Sequence, residues 1–216
     1  MKIVCISDTH NFHSYLDMPD GDILIHAGDL SMTGDEEELR PVCDWLASLP
    51  YEHIVVIAGN HDLGLQNDPQ FYEPMFPPNV TYLRDSGVTI NGLKFWGSPW
   101  QHHYKEWAFH LAGESIKQKW SLIPDDTDVL VTHTPMFERL DWSLYQWDQW
   151  EANTHVGCHS LRERADQLNL KLHVAGHIHE ARGQLLEKGT LFVNASICDR
   201  TYKPDNLEKP IVIEVR

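Results

Sequence analysis

HIVVIAGNHD, His53–Asp62, runs four apolar residues, Ile54–Ile57, into alanine, glycine, an amide, an imidazole and a carboxylate. The apolar part is β-branched and lacks polar alternation, which reads as a strand buried on both faces, as in the interior of a parallel sheet. The polar part then falls at the carboxyl end of that strand. The pattern returns four times. Lys2–Ser7 (KIVCIS) stops at Asp8-Thr9-His10, Asp22–His26 (DILIH) at Ala27-Gly28-Asp29, Asp128–Thr132 (DVLVT) at His133, and Leu170–Ala175 at Gly176-His177-Ile178-His179. Further strands are expected over Val80–Leu83, Val88–Ile90, Leu93–Gly97, Gln184–Leu186, Leu191–Asn194 and Ile211–Val215.

Helical patterns lie between these runs. Thr33 and Glu36 have the spacing of a capping box before Leu39, Val42, Leu46 and Leu49, and Pro41 is expected to restart that helix as a first-turn proline. Trp107, Leu111, Ile116 and Trp120 outline a second helix with a break at Gly113; Leu161, Ala165 and Leu168 outline a third. Strands interleaved with helices predict a layered α/β (α+β) domain. The chain of 216 residues fits one domain, 1–216, with a substantial core.

The net charge of −15 opposes a long phosphate backbone or an anionic membrane. It leaves room for a small anion held through bound cations. Four scattered cysteines without a CxxC pair read as reduced thiols. The short apolar N-terminus lacks the features of a signal segment, so a cytoplasmic setting is expected.

The five strand ends deliver Asp8, His10, Asp29, Asn60, His61, His133, His177 and His179. Loops at the carboxyl ends of buried strands are common ligand sites in layered α/β folds. An oxygen and nitrogen donor set without thiolate suits Mn²⁺, Fe, Zn²⁺, Ni²⁺ or Co²⁺ and argues against a closed structural zinc. Seven ligands are too many for one ion and suit two with a bridging carboxylate. Two dications about 3.5–4 Å apart acidify a shared water and hold a phosphate oxygen. His177 and His179 would then each serve a different ion. His26 reads as a core imidazole oriented by a carbonyl or carboxylate.

DTH, GD, GNHD, VTH and GHIH, in this order, resemble the signature of the calcineurin-like metallophosphoesterases. SLPYEHIVVIAGNHD, FWGSPWQ, HVGCHSL, AGHIHEARG and NASICDR are similar to the metallophosphoesterase-domain proteins and their class III cyclic nucleotide phosphodiesterase relatives. The resemblance covers essentially the whole chain. It implies two mixed β-sheets packed as a sandwich flanked by helices, with a dinuclear centre at one edge. It assigns Asp8, His10, Asp29 and His179 to one ion, and Asp29, Asn60, His133 and His177 to the other. Mn²⁺ is the first choice of metal. His61 would protonate the leaving oxygen, with Asp62 orienting it. Asn11, His102, His103, Trp147 and Trp150 are candidate substrate contacts.

The implied reaction is metal-hydroxide attack on a small phosphodiester such as a cyclic nucleotide. Phosphomonoester hydrolysis and a non-catalytic protein-binding scaffold are the alternatives. A homodimer is compatible with the sequence. The segment between Pro135 and His155 is longer and richer in tryptophan than the resemblance implies. Trp142, Tyr145 and Trp150 fall on one side of a short helix there. It reads as a packed loop, a wall against an aromatic substrate group, or a dimer contact.

Overall fold

A computed structural model describes residues 1–102, 107–145 and 151–215. The strands expected above form within two residues of the boundaries read from the sequence. In the first sheet Ile211–Glu214 lies at one edge, antiparallel to Lys2–Ile6. Ile23–Ala27, His53–Ile57 and Val80–Tyr82 follow in parallel. The second sheet runs Gly183–Glu187, Thr190–Asn194, Leu172–Ala175, Val129–Thr132, Leu93–Ser98 and Ser86–Ile90, with antiparallel pairs at its two edges and parallel pairs inside.

Side-chain alternation along these strands builds four layers. Ile3, Cys5, Ile25 and Val55 point from the first sheet to Val129, Val131, Leu172 and Val174 of the second, forming the inner core. The intervening residues Val4, Ile6, Leu24, Ile54 and Val56 face outward and pack with Leu39, Val42 and Leu46 of helix Glu36–Ser48. Leu130 and Phe192 of the second sheet pack with Ile116 and Trp120 of helix Gly113–Ser121 and with Leu161 of helix His159–Ala165. Both faces of each sheet are therefore dry, which is why the runs show no polar alternation. Each such Leu, Ile or Val contributes about 1.5–3 kcal/mol on burial.

Four helix expectations are corrected. The first helix is capped by Asp35, whose carboxylate accepts from the Glu38 N–H at 3.1 Å, not by Thr33. Glu38 reaches back past the cap to the N–H groups of Met32 and Thr33, so the cap sits two residues later than expected and is not the reciprocal box. Pro41 lies inside the helix and does not restart it. Pro41 and Glu37 are both exposed, so water can take the Glu37 carbonyl that the proline leaves unbonded. Gly113 starts its helix at φ +56° and leaves Trp107 and Leu111 outside. Trp142 is not helical: Trp142–Ser143 pairs as a short antiparallel strand with Thr154–His155.

All four cysteines are free and buried. No helix among the described residues is long and apolar enough to cross a membrane. The strands followed by polar turns are parallel within each sheet, so their carboxyl ends gather on one edge of the sandwich. A bridge between Ser7 and Ser196 joins the sheets there.

Candidate metal centre and its cleft

The polar turns leave their strands through left-handed backbone. Asp8, His10, Asp29 and His177 have φ of 54°, 42°, 53° and 68°. Asp and His are among the non-glycine residues best tolerated in that region, yet each such residue stores of order 1 kcal/mol of strain. The glycines before these turns allow close approach. A Cβ on Gly176 would lie 2.1 Å from Asp8 Oδ2 and from Ser7 Oγ, and one on Gly59 would lie 2.3 Å from Asp29 Oδ1. His177 and His179 diverge because the chain has already left strand Leu172–Ala175 and turns left-handed at His177; strand alternation plays no part.

Seven of the predicted residues meet at this edge. The donor atoms of Asp8, His10 and His179 lie within 4.8 Å of one another, as do those of Asp29, His133 and His177. Asp29 Oδ2 stands between the two groups, 3.6 Å from His10 Nε2 and 3.3 Å from His133 Nε2. Asn60 Oδ1 is 2.9 Å from His133 Nε2. His177 and His179 thus fall in different groups. Asp8, His10, Asp29, Asn60, His133, His177 and His179 are all buried.

The hydrogen bonding around these groups fits cations. His133 Nδ1 is 2.9 Å from the Ala27 carbonyl, so it must be the donor, and this turns Nε2 to the Asn60 and Asp29 oxygens, where a proton or a cation can sit between them. His179 repeats this, with Nδ1 on the Asp199 carbonyl and Nε2 on Asp8 Oδ1. Carbonyl-oriented imidazoles aimed at carboxylates are what metal ligation requires. Both ring nitrogens of His10 are buried without a hydrogen-bond partner. Asp8 accepts from the His177 N–H at 3.0 Å and from Ser196 Oγ at 2.9 Å.

Electrostatics follow from this crowding. Burial opposes ionisation of Asp8 and Asp29, but the facing imidazoles outweigh it and hold both carboxyls below the usual range: His179 first for Asp8, His133 first for Asp29. Burial likewise opposes a charged His133, yet Asp29 carries it up to about 9. Burial pushes His10 down to about 4 and His177 well below its usual value. These two rings are neutral at neutral pH and keep a lone pair for a cation.

His61 faces the cleft. Its Nδ1 donates to the Met32 carbonyl at 2.8 Å and its backbone N–H to Asp29 Oδ1 at 2.8 Å. A donor atom of His61 also lies within 4.8 Å of those of His10 and Asp29. Met32, not Asp62, orients the ring. The Asp62 carboxylate instead accepts from the N–H groups of Gly59, Leu30 and Ser31 and from Ser31 Oγ. It ties the turn carrying Asp29 to the one carrying Asn60. Burial, with the Asp29 charge second, holds its carboxyl above the usual range. Asn11 is likewise corrected: its amide bridges the Met32 N–H and the Glu38 carbonyl and does not line the cleft. His26 takes a hydroxyl partner, Thr9 Oγ1 at 2.9 Å, instead of a carbonyl or carboxylate.

A cleft of about 280 Å³ opens over the cluster, lined by Asp29, Asn60, His61, His177 and His179 and by Met32, Trp107, Glu180, Arg200 and Tyr202. The latter five were not legible as site residues. Tyr202 sets its ring edge-on to His10 and His179, with centroids 4.9 and 5.4 Å away. Arg200 stacks on Tyr145, 3.8 Å from the ring centroid. His102 does not line the cleft, and burial pushes its imidazole down to about 4. His103, Trp147 and Trp150 lie outside the described residues.

Comparison with known proteins gives the same picture. Residues 1–181 match the profile described as calcineurin-like phosphoesterase. The human metallophosphoesterase domain-containing protein 1 is 38% identical over 99% of this chain and 71% of its own length. A UPF0046 protein of Caenorhabditis elegans is 36% identical over 93% of this chain and 71% of its own. The solved structure of TT1561 from Thermus thermophilus shares the fold, with a TM-score of 0.55 at 14% identity over 89% of this chain and 88% of that one.

Proposed function

The chain belongs to the calcineurin-like phosphoesterases, phosphoric ester hydrolases that typically use two metal ions, and we propose that within this family it is a phosphodiesterase acting on a small diester such as a cyclic nucleotide. The observation that carries this reading is the pair of donor groups meeting at Asp29 on the floor of a small cleft. Asp8, His10, Asp29 and His179 would hold one divalent ion; Asp29, Asn60, His133 and His177 would hold the other. Mn²⁺ suits these oxygen and imidazole donors. Bound there, such ions supply Lewis acidity and a water that ionises near neutral pH.

The remaining work falls to the protein's own groups. His61 Nδ1–H is committed to the Met32 carbonyl, so Nε2 is the atom from which the ring passes a proton to the leaving oxygen. The His61 backbone N–H fixes Asp29 Oδ1 while Oδ2 remains toward His10 and His133. Trp107 and Tyr202 narrow the cleft, and Arg200 adds positive charge to its wall. A cleft of about 280 Å³ falls at the small end of the roughly 300–1,000 Å³ of pockets that enclose drug-sized ligands, which favours a small diester over a longer one. The net charge of −15 opposes extended nucleic acid.

The experiment is a side-by-side panel with Mn²⁺-loaded protein: 2′,3′- and 3′,5′-cyclic nucleotides, linear diesters and monoesters. Diester kcat/KM should exceed monoester kcat/KM by about tenfold or more, a transition-state difference of about 1.4 kcal/mol. The reverse ratio makes the protein a phosphomonoesterase. No turnover with both ions bound makes it a scaffold.

A further inference from the structure

We propose that Trp107 is a positioning residue for His61: its indole face holds the imidazole in the orientation from which Nε2 reaches the leaving oxygen. This rests on the acid role given to His61 above.

A ring fixed by one hydrogen bond can still swing about that bond. The His61 ring is bonded at Nδ1 to the Met32 carbonyl, and its remaining freedom is removed from two sides. Trp107 lies against it with centroids 4.2 Å apart and planes 38° from parallel. His10 meets it on another side, edge-on at 4.7 Å. Met32 is itself held, its N–H shared between Asn11 Oδ1 and Glu38 Oε2 at 3.0 Å each.

Trp107 is anchored to the same local unit as the ring it supports. The Ala108 N–H donates to the Asn60 carbonyl at 3.0 Å, and the Gln101 N–H donates to the Phe109 carbonyl at 2.8 Å. Ala108 and Phe109 are fully buried behind it. One hydrogen bond therefore separates the residue after Trp107 from the residue before His61, so the backbone that carries the indole is tied to the backbone that carries the imidazole. Trp107 still lines the cleft, so the contact lies where the chemistry happens. Proton transfer needs its donor aligned: catalytic groups must be held within roughly 10–20°, and a misplacement of about 1 Å can cost about 10²-fold.

The test compares wild type, Trp107→Ala, Trp107→Phe, His61→Ala and the Trp107→Ala/His61→Ala double variant, each loaded with Mn²⁺. The substrates are a series of aryl esters that the protein hydrolyses, from nitrophenyl to methoxyphenyl leaving groups. Metal content and thermal melting are followed in parallel. In Trp107→Ala the rate on the poorest leaving group should fall about 10-fold or more beyond the fall on nitrophenyl ester, a general-acid effect being worth about 10²–10⁴-fold in full. Trp107→Phe should restore most of it, and the double variant should be no slower than His61→Ala. A uniform loss across the series, or losses that multiply in the double variant, overturns the proposal. If His61→Ala itself shows no leaving-group dependence, the acid role falls. Positioning is then judged on kcat alone: non-additivity in the double variant supports it and additivity overturns it.

Discussion

Replacing Asp62 by alanine would remove four acceptor contacts at once, from the N–H groups of Gly59 (2.8 Å), Leu30 (3.2 Å) and Ser31 (3.1 Å) and from Ser31 Oγ (2.7 Å). Asp62 is fully buried, and a buried donor left without its acceptor costs about 1–3 kcal/mol. The three backbone donors alone give a gross loss of about 3–9 kcal/mol. Part is returned. Burial and the Asp29 charge oppose ionisation of this carboxyl, so deleting it relieves a buried charge, and water entering the vacated space bonds some of the donors. The expected net loss is about 2–5 kcal/mol, read by urea denaturation of metal-free protein. Metal affinity should fall about 10–100-fold, because Asp29 and Asn60 sit on the two turns that Asp62 joins. Asp62→Asn should rescue little. Its one carbonyl oxygen can keep two contacts, while its NH₂ group opposes the other two donors. A stability for Asp62→Ala within about 0.5 kcal/mol of wild type, combined with a rate loss confined to poor leaving groups, would refute the clamp and return Asp62 to orienting His61.

Three further outcomes are expected. Gly176→Ala should cost Asp8 its place, since Asp8 is pinned by the His177 N–H and Ser196 and cannot step aside from a Cβ 2.1 Å away; elemental analysis should show less than full metal loading, and activity should fall by about 10²-fold. Asp29→Ala should lose both ions or hold one weakly, whereas His179→Ala strips one ligand from one group; full dinuclear occupancy in Asp29→Ala would contradict the bridging role. Metal-free protein should be most stable near pH 6.5. His133, opposed by burial but raised to about 9 by Asp29, contributes stability that is complete below about 6.5 and lost as pH rises through about 9. His10, pushed down to about 4 by burial, resists protonation, so stability also falls as pH drops from about 6.5 through about 4. Saturating Mn²⁺ should flatten the alkaline limb in denaturation curves, because a ligating His133 has already given up its proton; an alkaline limb unchanged by the metal would count against His133 as a ligand.

The strands and the donor set were legible because one physical cause wrote both. A strand such as His53–Ile57, packed on both faces, must be continuously apolar, so its first polar residues mark the exit from the sheet. Parallel pairing then brings all such exits to one edge. The helix starting at Glu36 was misread at its cap because Thr33, Asp35, Glu36 and Glu38 all offer capping chemistry, and only the backbone decides which is used. The cleft wall was far less legible. Trp107 mimics a helix position in sequence but stands on a turn tied to Asn60. Arg200 and Tyr202 follow the strand Thr190–Asn194 without any pattern of their own. Asp62 beside His61 looks like its partner, yet its carboxylate is turned to backbone donors more than 25 residues away as well as to its own turn.

The division of the donors between the sheets bears on how the molecule is made and lost. Asp8, His10, Asp29 and Asn60 follow strands of the first sheet; His133, His177 and His179 follow strands of the second. The contact between Asp8 and His179 closes a separation of 171 residues. Contacts that distant form late, after the entropy of closing the chain has been met by docked apolar faces. A nascent or half-folded chain therefore offers no complete binding place, and cations have little with which to guide it home. Once the sheets have met, an ion held by both must be released before they part. Metal supply should then leave the refolding rate nearly unchanged and slow unfolding, so that the centre acts as a latch on a finished protein and not as a template for its assembly.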